Sequence, residues 1–247
     1  MKVEIVTLFP EIIRGYFQNS IMAKCVDDGR IEFDTIQIRD FSSDKHHTCD
    51  DAPYGGGAGM ILKPEPLGMA LESIHASKKR VVCPSPSGRL FDQQYAQELA
   101  SENELVFISG RYEGIDQRII DMYVDDEICI GDYVISSGEI ASLVIIDAVY
   151  RLIDGVISRQ SLVEESFSNG LLEYPQYTRP STYCGIPVPD ILLSGHHEKI
   201  EKWRMMQRIK KTKKNRPELL EEAAEASEEV KLFLKALDNG LHTSKEG

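Results

Sequence analysis

Three short apolar runs constrain this chain most: Arg80–Cys83 (RVVC), Leu105–Ser109 (LVFIS) and Glu127–Ile130 (EICI), each followed by a turn rich in glycine, proline or serine. Runs of this kind, β-branched and without polar alternation, suit strands covered on both faces, and such strands belong to parallel sheets layered between helices. The surrounding segments agree. Lys2–Phe9 (KVEIVTLF) reads as a strand, Pro10 opens a helix carrying Ile12, Ile13, Tyr16 and Phe17, and Ile31–Ile38 (IEFDTIQI) alternates with period two. Gln93–Ala100 and Gly114–Met122 read as helices, and Ser137–Leu152 as a longer one with Ile140, Leu143, Val144, Ala148 and Leu152 on one face. The expected fold is α/β, a mostly parallel sheet with helices on both faces.

Near Ile157 the pattern changes. Residues 158–182 are rich in Ser, Asn, Gly, Pro and Tyr and read as a linker or functional loop, whereas 197–214 and 217–237 are helical, with Pro217 at a favoured first-turn position. A small α-helical C-terminal domain is expected there, and Trp203 is expected in its core.

Ligands of open α/β sheets sit beyond the carboxyl ends of the strands. VVCPSPSG (81–88), VFISGRYEGID (106–116) and ICIGDYVISSGE (128–139) therefore converge on one site, offering backbone groups where glycine leaves room. Any one of them alone reads as an ordinary tight turn, and it is the three together that point to a site. Neither the G-x-G-x-x-G fingerprint nor the P-loop motif is present, and PYGGGAGM (53–60) fits neither spacing, which argues against a kinase or dehydrogenase. Ile130, Val134 and Ile135 can flank a flat ring while Glu113 meets an amino or cationic group, so the residues themselves point to a nucleoside-like cofactor.

The formal net charge of −12 argues against a polyanionic partner, but the distribution matters more than the sum. Lys202–Arg216 (KWRMMQRIKKTKKNR) carries eight Lys or Arg and no acid, followed by six Glu between Glu218 and Glu229. Such a segment is either a solvated helix face or a local seat for a polyanion. Five scattered cysteines without a C-x-x-C pair fit a reducing cytoplasm rather than a disulfide framework or zinc site. The amino terminus lacks the apolar run of a signal peptide and no apolar run is long enough to span a bilayer, so no membrane association is expected. His46-His47 and His196-His197 have no third ligand at metal spacing and read as polar loop residues.

DDAPYGGGAGM (50–60), GRYEGID (110–116), IGDYV (130–134) with SGE (137–139), SFSNGLLEYPQYTRP (166–180) and LLSGHHEKIEKWR (192–204) together resemble the bacterial tRNA (guanine-N1)-methyltransferase family of the SPOUT superfamily, from Met1 to about Leu220. The resemblance implies a knotted S-adenosylmethionine-binding catalytic domain over 1–160, its carboxyl half tied in a deep trefoil. It further implies a flexible linker and active-site loop over 161–175 and a helical tRNA-binding domain over 176–247. It implies a homodimer with an active site shared between subunits, Mg²⁺ supporting activity from no known site, and methylation of the guanosine 3′ of the anticodon. Cofactor-binding positions carried over are Pro84, Ser85, Gly110, Tyr112, Glu113, Ile130, Gly131, Asp132, Tyr133, Val134, Ile135 and Gly138; the backbone at 130, 131, 133 and 135 would hold the adenine.

The family's base is an aspartate directly before Ser-Phe, and here that position is Glu165, one methylene longer. A carboxylate there would take the N1 proton, and Arg151 would stabilise charge developing on the guanine. Two further departures, Asp154 for a common proline and Ser137 for a common glycine, keep a second reading open: a catalytically altered RNA-binding relic. For the RNA, Gly55, Gly56 and Gly57 would allow close approach to bases beside the target, and Arg208, Lys210, Lys211 and Lys214 would meet stem phosphates.

Overall fold

The computed structural model describes residues 1–158, 165–167 and 169–238. It divides into two compact units, Met1–Ile157 and Ser158–Gly247. The first comprises, in chain order, β1 (Lys2–Thr7), α1 (Pro10–Phe17), α2 (Ser20–Asp27), β2 (Glu32–Gln37), β3 (Asp50–Asp51), β4 (Ile61–Leu62), α3 (Pro64–Ser73), β5 (Arg80–Leu90), α4 (Gln93–Ala100), β6 (Glu104–Ile108), α5 (Gln117–Tyr123), β7 (Asp126–Cys129) and α6 (Gly138–Tyr150). Five strands form one sheet in the order β2-β1-β6-β5-β7, and every pairing in it is parallel.

Alternate residues of each strand point to opposite faces, and both faces are covered. Val3, Ile5, Val82, Leu105 and Phe107 enter one core with Ile13, Phe17, Leu99 and Ile145 from the helices. Val6, Val81, Cys83, Val106 and Ile108 enter the other with Leu67, Leu71 and Ile119. This two-sided burial is why the strands read as continuous apolar runs.

Two features depart from the sequence reading. β5 does not stop at Cys83: it bulges out after Pro84 and pairs with β7 again at Arg89–Ile128 and Leu90–Cys129. Pro84 and Pro86 lack the N–H that a ladder needs, so their segment leaves the sheet as a loop. Gly88 lets the chain return, since a Cβ there would lie 2.4 Å from the Glu127 carbonyl carbon. On α6 the buried side includes Ala141, Ser142, Ile145, Ile146, Val149 and Tyr150, while Ile140 and Val144, read as part of one apolar face, are exposed. The helix is apolar nearly all round, so periodicity alone does not choose its face.

The amino-terminal edge of β5 carries a charged network. Arg80 donates from Nε to Asp126 Oδ2 at 2.6 Å, and Tyr95 OH donates to Oδ1 at 2.5 Å. Burial pushes the Asp126 carboxyl up, but the bonds from Arg80 and Tyr95 and the nearby Arg89 outweigh it, so the net shift is downward. A lowered folded value means the stabilisation is fully present above the ordinary Asp value of about 3.9 and is lost as pH falls through the folded value. Asp126→Asn is therefore expected to cost about 2 kcal/mol at pH 7 and to show a shallower loss of stability below pH 4 than the wild type, read from urea midpoints.

The second unit contains the hairpin β8 (Thr182–Tyr183) and β9 (Ile186–Pro187), then α7 (Asp190–Leu193), α8 (His197–Asn215), α9 (Pro217–Ala226) and α10 (Glu228–Asp238). The single helix expected over 217–237 is two, broken at Ser227, which has extended backbone. Its core is Leu171, Ile209, Leu220, Ala223 and Val230. Leu171 and Tyr174, expected within a flexible linker, are buried, and Leu172 N donates to Thr212 Oγ1 of α8 at 2.9 Å. The described part of 165–175 is thus integral to this unit; residues 161–164 of the expected linker lie outside the described residues. Trp203 is half-buried beside Tyr177 rather than part of that core. No helix among the described residues is long and apolar enough to cross a membrane. The five cysteines are free.

Candidate active site

β6, β5 and β7 are neighbours running the same way, so their carboxyl ends lie side by side and their loops meet. Between these loops is a cavity of about 390 Å³. Of the expected cofactor positions, Pro84, Ser85, Gly110, Tyr112, Glu113, Ile130, Gly131, Tyr133, Val134, Ile135 and Gly138 line it. Asp132 does not: its side chain is exposed and outside the lining, because the turn at 131–133 carries it outward.

Glycine shapes this cavity where backbones cross. A Cβ on Gly138 would stand 2.4 Å from Gly110 N, and Gly138 N donates to Gly110 O at 3.0 Å. Gly131, at φ +150, lies beneath the Tyr133 ring, and Tyr133 N donates to Gly131 O at 2.8 Å. The loop's polar backbone is therefore held open by its own turn.

The glycine loop 53–60 joins the same rim. Glu113 N donates to Met60 O and Leu62 N to Gly114 O, both at 3.0 Å, and the Glu113 side chain lies over Gly59. Gly55, Gly56 and Gly57 all have positive φ and are exposed, and Tyr54 beside them is fully exposed. Nothing packs within 4 Å of the Cβ positions of Gly55 and Gly56.

Arg151 is half-buried at the carboxyl end of α6, one turn beyond Asp147, which accepts from Tyr16 OH. Burial and that carboxylate push the Tyr16 phenol well above its ordinary range. Glu165 is half-buried in the second unit, on a segment fixed to α8. There Ser166 Oγ accepts from Glu173 N at 3.1 Å, and Phe167 takes a left-handed backbone at φ +72 with its N donating to Leu171 O.

The basic helix is divided. Lys210 and Lys214 are exposed and Lys211 half-buried, but Arg208 is buried, its Nε donating to Leu172 O at 3.3 Å. Arg208 is thus tied within its own unit, next to the core residue Ile209. Sequence reasoning missed Arg111 and Glu139 as a pair: Arg111 Nε donates to the fully buried Glu139 Oε2 at 2.8 Å. Both lie within the quoted motifs, but no spacing rule joins residues so far apart.

A family model described as tRNA (Guanine-1)-methyltransferase TrmD matches residues 1–222. A tRNA (guanine-N(1)-)-methyltransferase of Treponema denticola is 60% identical over 97% of this chain and 100% of its own length. One of Treponema pallidum is 58% identical over 98% of each chain. A third, of Borrelia hermsii, is 59% identical over 89% of this chain and 92% of its own. The α/β unit with its parallel sheet agrees with that relationship, and the chain belongs to the tRNA (guanine-1)-methyltransferase TrmD family.

Proposed function

We propose that this protein transfers a methyl group from S-adenosylmethionine to N1 of the guanosine at position 37 of tRNA, directly 3′ of the anticodon. The observation that carries the reading is the cavity formed by three glycine-bearing loops over β5, β6 and β7 in a chain of this family. Its volume lies in the range of small-molecule pockets, about 300–1,000 Å³. Apolar Ile130, Val134 and Ile135 suit an adenine, the backbone of the lining residues 110, 130 and 131 suits its polar edge, and Glu113 suits an ammonium. The trefoil knot expected of SPOUT proteins belongs to this proposal, as does a cytoplasmic location.

When bound, S-adenosylmethionine supplies a sulfonium methyl already activated for transfer. The chain's own residues prepare the base. Guanine N1 carries a proton and is a poor nucleophile until it leaves; a carboxylate oxygen of Glu165 accepts it. The negative charge then shared with O6 is stabilised by the Arg151 guanidinium. The target base leaves its stack to reach the site, with Gly55–Gly57 beside its neighbours and Lys210, Lys211 and Lys214 on stem phosphates. Among the described residues no group of three or more His, Cys, Asp or Glu is placed to hold a metal ion, and no step is assigned to Mg²⁺.

The protein acts in this reading as a homodimer with a shared site. Ile140 and Val144, one turn apart on α6, present an exposed apolar stripe, and Val134 and Ile135 in the preceding loop are exposed as well. Ile140→Glu with Val144→Glu is expected to convert a dimer to monomer in light scattering and to lower kcat by about a hundredfold through the divided site. A doubly substituted protein that remains a dimer contradicts this interface.

Labelled S-adenosylmethionine and unmodified tRNA bearing guanosines at 36 and 37 test the reaction. One N1-methylguanosine, at 37, is expected. Tight binding of both ligands without product favours the relic instead.

A further inference from the structure

Glu139 takes no part in the chemistry above, yet it is fully buried in the first turn of α6. Its Oε1 accepts from Thr7 Oγ1 at 2.7 Å, and its Oε2 accepts from Arg111 Nε at 2.8 Å and Ser137 Oγ at 2.9 Å. These donors come from three segments: the end of β1, the loop after β6, and the residue capping α6. Arg111 reaches further, donating from Nη1 to Ser136 O at 3.2 Å while its guanidinium lies 4.5 Å over the Phe9 ring. Arg111, Ser136 and Ser137 line the cavity; Glu139 does not. A buried carboxylate is tolerated only while its charge and lone pairs are matched, so its partners are held wherever it is.

We propose that Glu139 is a positioning residue for S-adenosylmethionine. Through Arg111 and Ser137 it fixes the loops 110–116 and 130–137 against one another, so that their backbone groups meet the cofactor in one arrangement. The inference rests on reading the cavity as that cofactor's pocket. The carboxylate supplies charge to a wall it does not itself touch, which is how a supporting residue sets the precision of a site. Glu4, the other buried carboxylate among the described residues, pairs with Lys2 and Lys79 and lines no part of the cavity.

Glu139→Gln tests it. Glutamine keeps the shape, its Oε1 accepting from Arg111 and Ser137 and its Nε2 donating to Thr7 Oγ1, so chiefly the charge is lost. Calorimetry with S-adenosylmethionine, together with Michaelis constants for cofactor and tRNA, is measured on wild type, Glu139→Gln and Glu4→Gln, with folding checked by thermal melts. The Kd and KM for the cofactor are expected to rise about tenfold in Glu139→Gln, the loss from weakening a charged hydrogen bond, with KM for tRNA unchanged. Glu4→Gln is expected to lower the melting temperature without moving the cofactor KM. A folded Glu139→Gln whose cofactor KM stays within about twofold of wild type, or whose two Michaelis constants rise together, overturns the proposal. Should Glu139→Gln not fold, Arg111→Lys decides, since lysine keeps the charge but cannot serve Glu139 and Ser136 in one planar fork. The same rise is expected there, and an unchanged cofactor KM overturns the proposal. Wild-type protein that takes up no S-adenosylmethionine is a different failure: it removes the pocket reading itself.

Discussion

Glu165→Gln is expected to lower kcat for tRNA methylation by about a thousandfold, in the middle of the range for loss of a general base. Glutamine preserves size and one acceptor oxygen but cannot accept the N1 proton. In the proposed reaction Glu165 acts on the guanine and not on the methyl donor, so the Kd for S-adenosylmethionine is expected to stay at the wild-type value. The pairing of those two results matters, because a misfolded second unit would also abolish turnover. Ser166, Leu171 and Leu172 hold the segment through hydrogen bonds of their own, so the second unit is expected to stay folded, which a thermal melt checks. A fully active variant would move the base to another residue. Glu165→Asp restores the residue type the family resemblance implies; it is expected to retain measurable turnover, since charge is kept and only reach is lost.

Gly138→Ala is expected to cost about 3 kcal/mol of stability, the upper range for overpacking a filled site. The added Cβ would lie 2.4 Å and 2.5 Å from the N and O of Gly110, and backbone cannot rotate aside as a flexible side chain does. Either α6 or the loop after β6 must move, and the bond from Gly138 N to Gly110 O is lost with it. A displacement of about 1 Å at such a site costs about a hundredfold in activity, so cofactor binding is expected to weaken by a similar factor. Gly15→Ala is the contrasting case. Gly15 lies within α1, has no positive φ, and nothing lies within 4 Å of its Cβ position. That substitution is expected to stabilise by about 0.5–1 kcal/mol. Denaturant midpoints and calorimetry on the two variants separate a glycine required by packing from one that is merely tolerated.

The sheet was readable because its strands are covered on both faces: Leu105–Ile108 and Val81–Cys83 show this as unbroken apolar runs, and each entered two cores as expected. The convergence of the loops after β5, β6 and β7 followed from parallel topology alone. What sequence did not show has three physical sources. Pro84 and Pro86 announce a loop, and nothing local says that Arg89 and Leu90 rejoin β7 beyond it. An apolar helix such as α6 has no distinct polar face, so Ile140 and Ile145 could not be ranked until Gly138 was seen pressed against Gly110. In sequence Arg208 reads as a phosphate contact and Glu139 carries no role, and nothing there says that the folded chain buries both and gives each an internal partner. The Asp132 side chain illustrates the same limit within a motif, because neighbours in sequence leave a turn in opposite directions.

A crystal structure of the protein grown with S-adenosylmethionine tests the central claim most directly. The account predicts density in the cavity between the loops at 84–88, 110–116 and 130–137, with the adenine against Ile130–Ile135 and the methionine end toward Glu113. Density for the cofactor at any other place, or a saturated crystal with that cavity filled only by solvent, contradicts it.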